Sequence, residues 1–304
     1  MPILTISHLT SYAYRQPVSF GEHRLLIRPH ESYDQRVSDF QLDIDPGPAE
    51  LRWHHDVFGN SVAIARFGKR ATSLRFESRL RMEHDPLARD ALEVEDYARL
   101  YPFSYAAEDI SDLLRSIERQ HVDPERVVDR WARQFVGGGQ AETVTMLAEM
   151  NAAIRRDFTY VARHEAGTQS PVETLHKRQG TCRDYAVLMI EAARALGFAA
   201  RFASGYLYNP AGGEGRVGGG NTHAWVRIFL PGSGWVDFDP TNGIVGSAGL
   251  VRVAVTRDPS RAAPLTGSWS GFPNSALGMT VHIEVRLDEP EPTEQRAVAA
   301  GKAR

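Results

Sequence analysis

The sequence predicts an α+β fold in which an N-terminal antiparallel β-domain precedes a mixed core of helices and strands. Three observations predict it. Apolar residues alternate with period two before residue 88, recur at helical spacing between residues 110 and 195, and alternate again after residue 220. Strict alternation indicates a strand with one solvent-exposed face, whereas an i, i+3, i+4, i+7 pattern indicates an amphipathic helix.

The predicted strands of the first part each show the alternation over a short run. The runs lie at residues 6–14, 40–44, 62–64 and 74–82, and the third follows the turn dipeptide Gly59-Asn60. Turn residues between alternating runs are typical of antiparallel strands. We therefore predict an N-terminal β-domain over residues 1–88.

The middle and last parts of the chain combine both periods. Helical spacing predicts helices over 110–117, 127–135 and 147–154, and alternation predicts a final strand at 281–287. We assign residues 89–287 to one catalytic domain. The polar tail at 288–304 contains two closely spaced prolines and is predicted to be disordered.

Composition excludes several functional classes. Of the 304 residues, 42% are hydrophobic, and the formal net charge is −3, so no basic excess favours nucleic acid or an anionic membrane. No apolar run approaches the ~18 residues of a membrane-spanning helix. No secretory signal is visible, and the expected location is cytoplasmic. Cys182 is the single cysteine, which excludes an intramolecular disulfide and a multi-cysteine zinc site; no metal or organic cofactor is expected.

Cys182 begins a predicted buried helix. It stands in the segment Gly180-Thr181-Cys182-Arg183-Asp184, and the apolar helical pattern that follows stops at Gly197. Thr181 and Asp184 form a T-x-x-D capping box. Backbone N–H groups in the first turn of a helix are unpaired and carry partial positive charge, which favours a thiolate and can stabilise an oxyanion. The alternative is that Cys182 is a small buried apolar residue.

His223 and Asp239 lie at the same end of a predicted hairpin. Residues 221–230 and 235–240 read as strands, and 231–234 is a Pro-Gly-Ser-Gly turn. A turn centred near residue 232 places His223 opposite residues 240–242, and a one-residue bulge would bring Asp239 beside it, so the register stays open. Singly, each residue has an ordinary explanation in packing or turn formation. Together with Cys182 they provide the nucleophile, base and orienting acid of covalent acyl transfer.

Longer segments around these residues resemble a known family. Residues 180–206 (GTCRDYAVLMIEAARALGFAARFASGY) and 222–243 (THAWVRIFLPGSGWVDFDPTNG) resemble the transglutaminase-like core. Residues 6–18 (ISHLTSYAYRQPV), 56–60 (DVFGN) and 257–267 (RDPSRAAPLTG) are similar to bacterial transglutaminase-like proteins with an N-terminal β-domain. The resemblance covers roughly residues 3–287.

The resemblance implies a papain-like core, in which the helix carrying Cys packs on an antiparallel sheet carrying His and Asp. It also implies that Cys182 is the nucleophile, His223 the general base and Asp239 the orienting acid.

Four further residues are candidates by position. Trp225 and Trp235 are expected to wall the cleft and Tyr160 to offer a hydroxyl there, the alternative for each being core packing. Asn242 is an alternative to Asp239 as the partner of His223. The G-x-G-x-x-G pattern at 213–218 precedes a strand rather than a helix, which excludes a dinucleotide site and indicates a loop beside the active site.

The expected function is a cysteine-dependent acyl-transfer enzyme that cleaves a peptide, isopeptide or glutamine amide through a thioester. Hydrolysis is preferred because water is the default acceptor. The alternatives are a true transglutaminase, which uses an amine acceptor, and a non-catalytic peptide-binding module. The expected partner is a peptide or protein amide; the natural substrate and the oligomeric state stay open.

Overall fold

The computed structural model describes residues 2–162, 167–210 and 216–288. Its first strands are β1 (Ile3–Leu25), β2 (Gln35–Asp45), β3 (Glu50–His55), β4 (Ser61–Arg66) and β5 (Ala71–His84). These contain the four runs that were predicted as strands. All of them pair antiparallel in the order β2-β5-β1-β4-β3.

The middle of the chain is helical and contains only short strands. The helices are α1 (Ala107–Ile117), α2 (Val127–Arg133), α3 (Thr143–Asp157), α4 (Pro171–Lys177) and α5 (Cys182–Ala195). The two-residue strands among them are β6 (Leu100–Tyr101), β7 (Ala141–Glu142), β8 (Thr159–Tyr160) and β9 (Gln179–Gly180). None of the helices in the described residues is long and apolar enough to cross a membrane.

A second antiparallel sheet follows α5. Its strands are β10 (Ala200–Leu207), β11 (His223–Leu230), β12 (Gly234–Asp239), β13 (Ile244–Val245) and β14 (Leu250–Thr256), in the order β13-β12-β11-β10-β14. With two large antiparallel sheets and a helical layer, the predicted α+β class is confirmed.

The last two strands return to the first sheet. They are β15 (Leu265–Ser270) and β16 (Ala276–Asp288), and both pair with β1, which is 23 residues long and so has room for partners along each half. The segment assigned to the catalytic domain therefore supplies strands to the N-terminal sheet. The boundaries at 1–88 and 89–287 stay predictions. Asp288 ends β16 and pairs with Arg81 at 3.2 Å, while the rest of the predicted disordered tail lies outside the described residues.

Helix α5 lies at the centre of the largest core. Most of its residues are buried, and it packs on one face of β11 and β12 through alternating residues such as Ala224, Val226 and Phe238. Those residues pack against α5, while the intervening positions of both strands point to the other face of the sheet. His223, Trp225, Asp237 and Asp239 occupy that other face, at or near the end of the sheet where α5 begins.

Candidate active site

The start of α5 is held by the predicted capping box. The Asp184 carboxylate accepts hydrogen bonds from Thr181 N and Oγ1, both at 2.9 Å, and Asp184 N donates back to Thr181 Oγ1 at 3.4 Å. Asp184 also accepts from Gln169 N at 2.7 Å and is fully buried. The box makes Cys182 the first residue of the helix, where its own N–H has no intrahelical acceptor.

The hairpin brings His223 and Asp239 together without a bulge. The register runs from Leu230↔Gly234 to Val226↔Phe238, and continuing it sets Asp239 opposite Trp225. Residues two apart on the same strand share a face, so His223 and Asp239 are diagonal neighbours, a separation that long side chains span. His223 Nε2 lies 2.8 Å from Asp239 Oδ2. The bulge considered from the sequence is therefore unnecessary.

Charge stabilises this buried pair. Burial alone would lower the pKa of His223, but the charge and hydrogen bond of Asp239, with a contribution from Cys182, outweigh it and raise that pKa to about 10. Burial would raise the pKa of Asp239; the imidazolium, Asn242 and the Thr241 N–H outweigh it and lower that pKa. Both side chains are fully buried, so the pair is an imidazolium and a carboxylate at neutral pH.

Nδ1 is the ring nitrogen of His223 that does not bind Asp239. Nδ1 is buried and makes no hydrogen bond of ordinary geometry within the described part of the chain. Cys182 lies close enough to the ring that its charge contributes to the raised pKa of His223. Both residues line a cavity of about 300 Å³. Nδ1 is thus the nitrogen available to exchange a proton with the Cys182 thiol.

Of the additional candidates, Tyr160 lies next to Cys182. Its strand β8 runs parallel to β9, which leads directly into Thr181 and Cys182. Burial, followed by the charge and hydrogen bond of Cys182, raises the pKa of Tyr160 to about 12, so its hydroxyl keeps its proton beside the sulfur.

Neither tryptophan lines the cavity. Trp225 is completely buried behind His223, stacked on its ring at 6.1 Å, and its Nε1 donates to Asp237 at 2.6 Å. Trp235 lies at the turn end of the hairpin, where the Arg201 guanidinium stacks on its ring at 3.9 Å. The prediction that they wall the cleft therefore does not match where these side chains lie, since burial and register place one in the core and the other at the far end.

Asn242 supports Asp239 and does not replace it. Its Nδ2 donates to Asp239 Oδ2 at 2.8 Å, and its Oδ1 accepts from Val217 N at 2.9 Å. It thereby ties the carboxylate to the segment at residues 216–220, which we call the strap. The strap belongs partly to the predicted loop at 213–218, of which residues 213–215 lie outside the described residues.

Gly218 of the strap packs on His223. It has φ +99°, and a Cβ atom built on it would lie 2.8 Å from His223 Nδ1. By contrast, a Cβ atom built on Gly220, with φ +77°, would have no atom within 4 Å. Strap sequence alone carried no sign of this contact, which depends on tertiary structure.

We expect Gly218→Ala to lower kcat/KM about ten-fold more than Gly220→Ala, because overpacking on Nδ1 adds roughly 1–3 kcal/mol to the backbone strain that both variants share. Kinetics with any turned-over amide, alongside urea unfolding of both variants, would measure this. Equal activity losses in the two variants would show that the close approach to Nδ1 has no catalytic consequence.

Arg183 and Ser204 are among the cavity-lining residues that sequence reasoning had not assigned to the site. Arg183 follows Cys182 in the first turn of α5, and Ser204 reaches the cavity from β10 while its Oγ donates to Ala262 O at 3.0 Å. Position next to Cys182 was a signal for Arg183; nothing local marked Ser204. In the described residues, no group of three or more His, Cys, Asp or Glu side chains is arranged to hold a metal ion.

Comparison with known proteins finds two family matches and several relatives. Residues 4–83 match the bacterial transglutaminase-like N-terminal region, and residues 129–240 match the transglutaminase-like superfamily core. An uncharacterized protein of Mycobacterium tuberculosis is 28% identical over 296 residues, which cover 91% of each chain. The protein-glutamine gamma-glutamyltransferase of Pseudomonas aeruginosa is 33% identical over 114 residues, 36% of this chain and 17% of that protein.

A solved structure shares the whole fold. It is a protein from Cytophaga hutchinsonii provisionally assigned as a cysteine protease, with a TM-score of 0.69 and 20% identity, covering 96% of this chain and 93% of that one. The family matches fall on the N-terminal sheet and on the segment that carries Cys182, His223 and Asp239. Residues 4–83 of this chain therefore form a bacterial transglutaminase-like N-terminal region, and residues 129–240 form a transglutaminase-like superfamily core.

Proposed function

We propose that the protein is a cysteine-dependent acyl-transfer enzyme that cleaves an amide through a thioester and discharges the thioester by hydrolysis. One observation carries the proposal: Cys182 and the unpaired Nδ1 of the buried His223–Asp239 pair share one cavity. Nucleophile, base and orienting carboxylate in that relation are what covalent acyl transfer requires.

In the proposed reaction Cys182 carries the acyl group and His223 transfers the protons. The reactive form pairs a Cys182 thiolate with the His223 imidazolium, whose Nδ1 proton comes from the thiol. Sγ attacks the amide carbonyl carbon to form a C–S bond as the carbonyl π electrons move to oxygen. The Cys182 N–H at the start of α5 stabilises this oxyanion, and the Tyr160 hydroxyl lies near the same sulfur. His223 Nδ1–H then protonates the leaving amine as the C–N bond breaks. The neutral imidazole takes a proton from water, whose oxygen attacks the thioester carbonyl; the C–S bond breaks, the acid product leaves, and the thiolate and imidazolium are restored.

An amine acceptor is the second candidate. The Pseudomonas aeruginosa relative, named as a protein-glutamine gamma-glutamyltransferase, matches part of this chain. A glutamine peptide incubated with and without a primary amine separates the two reactions. Ammonia release without amine incorporation supports hydrolysis, and incorporation of the amine supports the transferase.

We place the enzyme in the cytoplasm, where a lone catalytic thiol stays reduced.

The proposal is tested by alkylating the native protein with iodoacetamide across a pH series. Labelling reports one site, because Cys182 is the single thiol. We expect rapid labelling at neutral pH and at least ten-fold slower labelling in His223→Ala, since the variant has no imidazolium to stabilise the thiolate. His282→Ala changes an exposed histidine on β16 and is the matched control, with labelling like the wild type.

Labelling that occurs only in the unfolded protein, or that proceeds at the same rate in His223→Ala, would contradict the catalytic role of Cys182. The non-catalytic peptide-binding module would then be favoured. In that case the cavity binds an amide without forming a thioester.

A further inference from the structure

Arg183 lines the cavity beside Cys182 and forms no ion pair with a carboxylate within the described residues. The side chains that line the cavity are small or neutral apart from Cys182, His223 and Arg183; the neutral ones include Thr181, Ser204, Thr222 and Pro264. No carboxylate is among the described residues that line it. With His223 protonated, His223 and Arg183 are two cations at the described part of its wall.

Arg183 is anchored but not neutralised. Nη2 donates to Pro259 O at 2.9 Å, and the guanidinium carbon lies 5.7 Å from the centre of the Phe202 ring. Nε is buried without an acceptor in the described part of the chain. Within that part, no carboxylate oxygen lies within 4.0 Å of the guanidinium, because Asp184, the adjacent acid, turns its oxygens to Thr181 and Gln169.

Three other arginines with little exposure have a carboxylate partner. Arg194 pairs with Glu191 at 2.9 Å, Arg227 with Asp237 at 3.3 Å and Arg252 with Asp34 at 2.8 Å. Arg201 has none in the described residues, but its guanidinium stacks on Trp235 and donates to Ser116 Oγ, and it does not line the cavity. Removing a cation from water without a counter-ion is unfavourable, and an anion that enters the cavity would offset that cost.

We infer that Arg183 selects the substrate, and that the amide cleaved at Cys182 bears a free carboxylate within a few bonds of its reacting carbonyl. This inference rests on the proposed function and narrows its substrate class. One N–H of Nη2 is bound by Pro259 O, and the other guanidinium N–H groups have no acceptor among the described residues, so they can bind a carboxylate in the cavity that Arg183 and Cys182 both line. Amides that lack the carboxylate would leave the cation unpaired and react more slowly.

Two alkylating reagents test the inference without a known substrate. Iodoacetate and iodoacetamide both form a bond from Cys182 Sγ to carbon as iodide leaves, and they differ by a carboxylate next to the attacked carbon. The ratio of their rate constants cancels the thiolate fraction, which is common to both. We expect Arg183→Gln to lower the iodoacetate-to-iodoacetamide ratio about ten-fold, the effect of one nearby charge at a partly desolvated site.

Two further variants separate charge from structure. Arg183→Lys keeps the charge and should retain most of the ratio. Arg286→Gln removes one positive charge from an exposed position on β16 and should leave the ratio unchanged. Circular dichroism and urea unfolding establish that each variant is folded.

The outcomes distinguish this inference from the proposed function. A wild-type thiol that reacts with neither reagent in the folded state overturns the proposed function. A reactive thiol whose reagent ratio is the same in wild type and Arg183→Gln overturns the inference alone and makes Arg183 a structural anchor for Pro259. A ratio that falls equally in Arg183→Lys and Arg183→Gln also overturns it, because charge would then not be responsible.

Discussion

Asp239→Asn is expected to lower kcat by about 10²–10⁴-fold, the range found when general acid–base catalysis is lost. An asparagine amide carries no charge to stabilise the His223 imidazolium, and it can present its NH₂ group to Nε2 and favour the wrong tautomer. Both effects act on Nδ1, the nitrogen that exchanges the proton with Cys182. Steady-state kinetics with an amide found by the glutamine-peptide screen would measure the loss.

Asp239→Asn should also shift the pH dependence of kcat/KM in a defined direction. The reactive form requires the imidazolium, so activity falls as pH rises through the pKa of His223, which is about 10 in the folded protein. In Asp239→Asn the groups that raise this pKa most are gone, while burial still lowers it. The alkaline limb of kcat/KM should therefore move to lower pH.

Asp237→Asn is the matched control for the limb. Asp237 is a buried carboxylate on the same strand and face, but it accepts from Trp225 and pairs with Arg227 rather than contacting His223. Its replacement should leave the alkaline limb near the wild-type position even if it lowers stability. An alkaline limb that stays in place in Asp239→Asn would show that another group sets it, and the acid role of Asp239 would be wrong.

Local patterns in the sequence predicted the parts of the site that depend on local structure. A capping box is a four-residue signal, and it placed Cys182 at the first position of α5. Hairpin strands and a short turn likewise placed His223 and Asp239 at one end. The ring–carboxylate contact needed the register as well, which the turn alone left open by one residue.

Contacts between distant segments were beyond such reasoning. Alternation showed that β16 is a strand but not that β1 is its partner, which at the Thr10↔Val281 pair lies 271 positions earlier in the chain. The positions of Trp225 and Trp235 away from the cavity have a related reason. Trp225 shares the face of His223 but lies one step further into the sheet, so that its ring is covered.

The contacts of Asn242 are a further feature that local sequence did not predict. It was considered as a direct partner of His223, yet it reaches Asp239 and the strap instead. An asparagine after a proline turn has no periodic neighbours that fix its direction. Only the folded path of residues 239–242 decides which oxygen its amide meets.

Loss of one ion pair between the two sheets should have the largest effect on stability. Asp34, in the loop before β2, accepts from Arg252 of β14 through both oxygens, at 2.8 and 3.1 Å, and both side chains are buried. Gln35 adds hydrogen bonds to Arg252 N and O at 3.0 and 2.7 Å. We expect Asp34→Ala to lower the free energy of unfolding by about 3 kcal/mol, the lower end of the range for a broken buried pair, because the buried Arg252 guanidinium then keeps only Asp237, at 3.6 Å.

An exposed ion pair of the first sheet is the control. Arg66 and Glu50 lie 3.1 Å apart with about half of each side chain exposed, so Glu50→Ala should cost only about 0–1 kcal/mol. Urea unfolding of both variants at neutral pH measures the difference. Comparable losses in the two variants would show that the interface between the sheets does not depend on this pair.

Acid should reproduce part of the Asp34 effect in the wild type. Burial would raise the pKa of Asp34, but hydrogen bonds and charge from Arg252 outweigh it and lower the pKa from 3.8 to about 2. A depressed carboxyl pKa stabilises the folded state above its unfolded value, and this contribution disappears as pH falls toward 2. The shift corresponds to about 2–3 kcal/mol. Asp34→Asn, which cannot titrate, should lose less stability than the wild type between neutral pH and about pH 3. An equal loss in both would mean that other carboxyl groups set the acid sensitivity, and that the Asp34–Arg252 pair holds the sheets together by shape and hydrogen bonding rather than by charge.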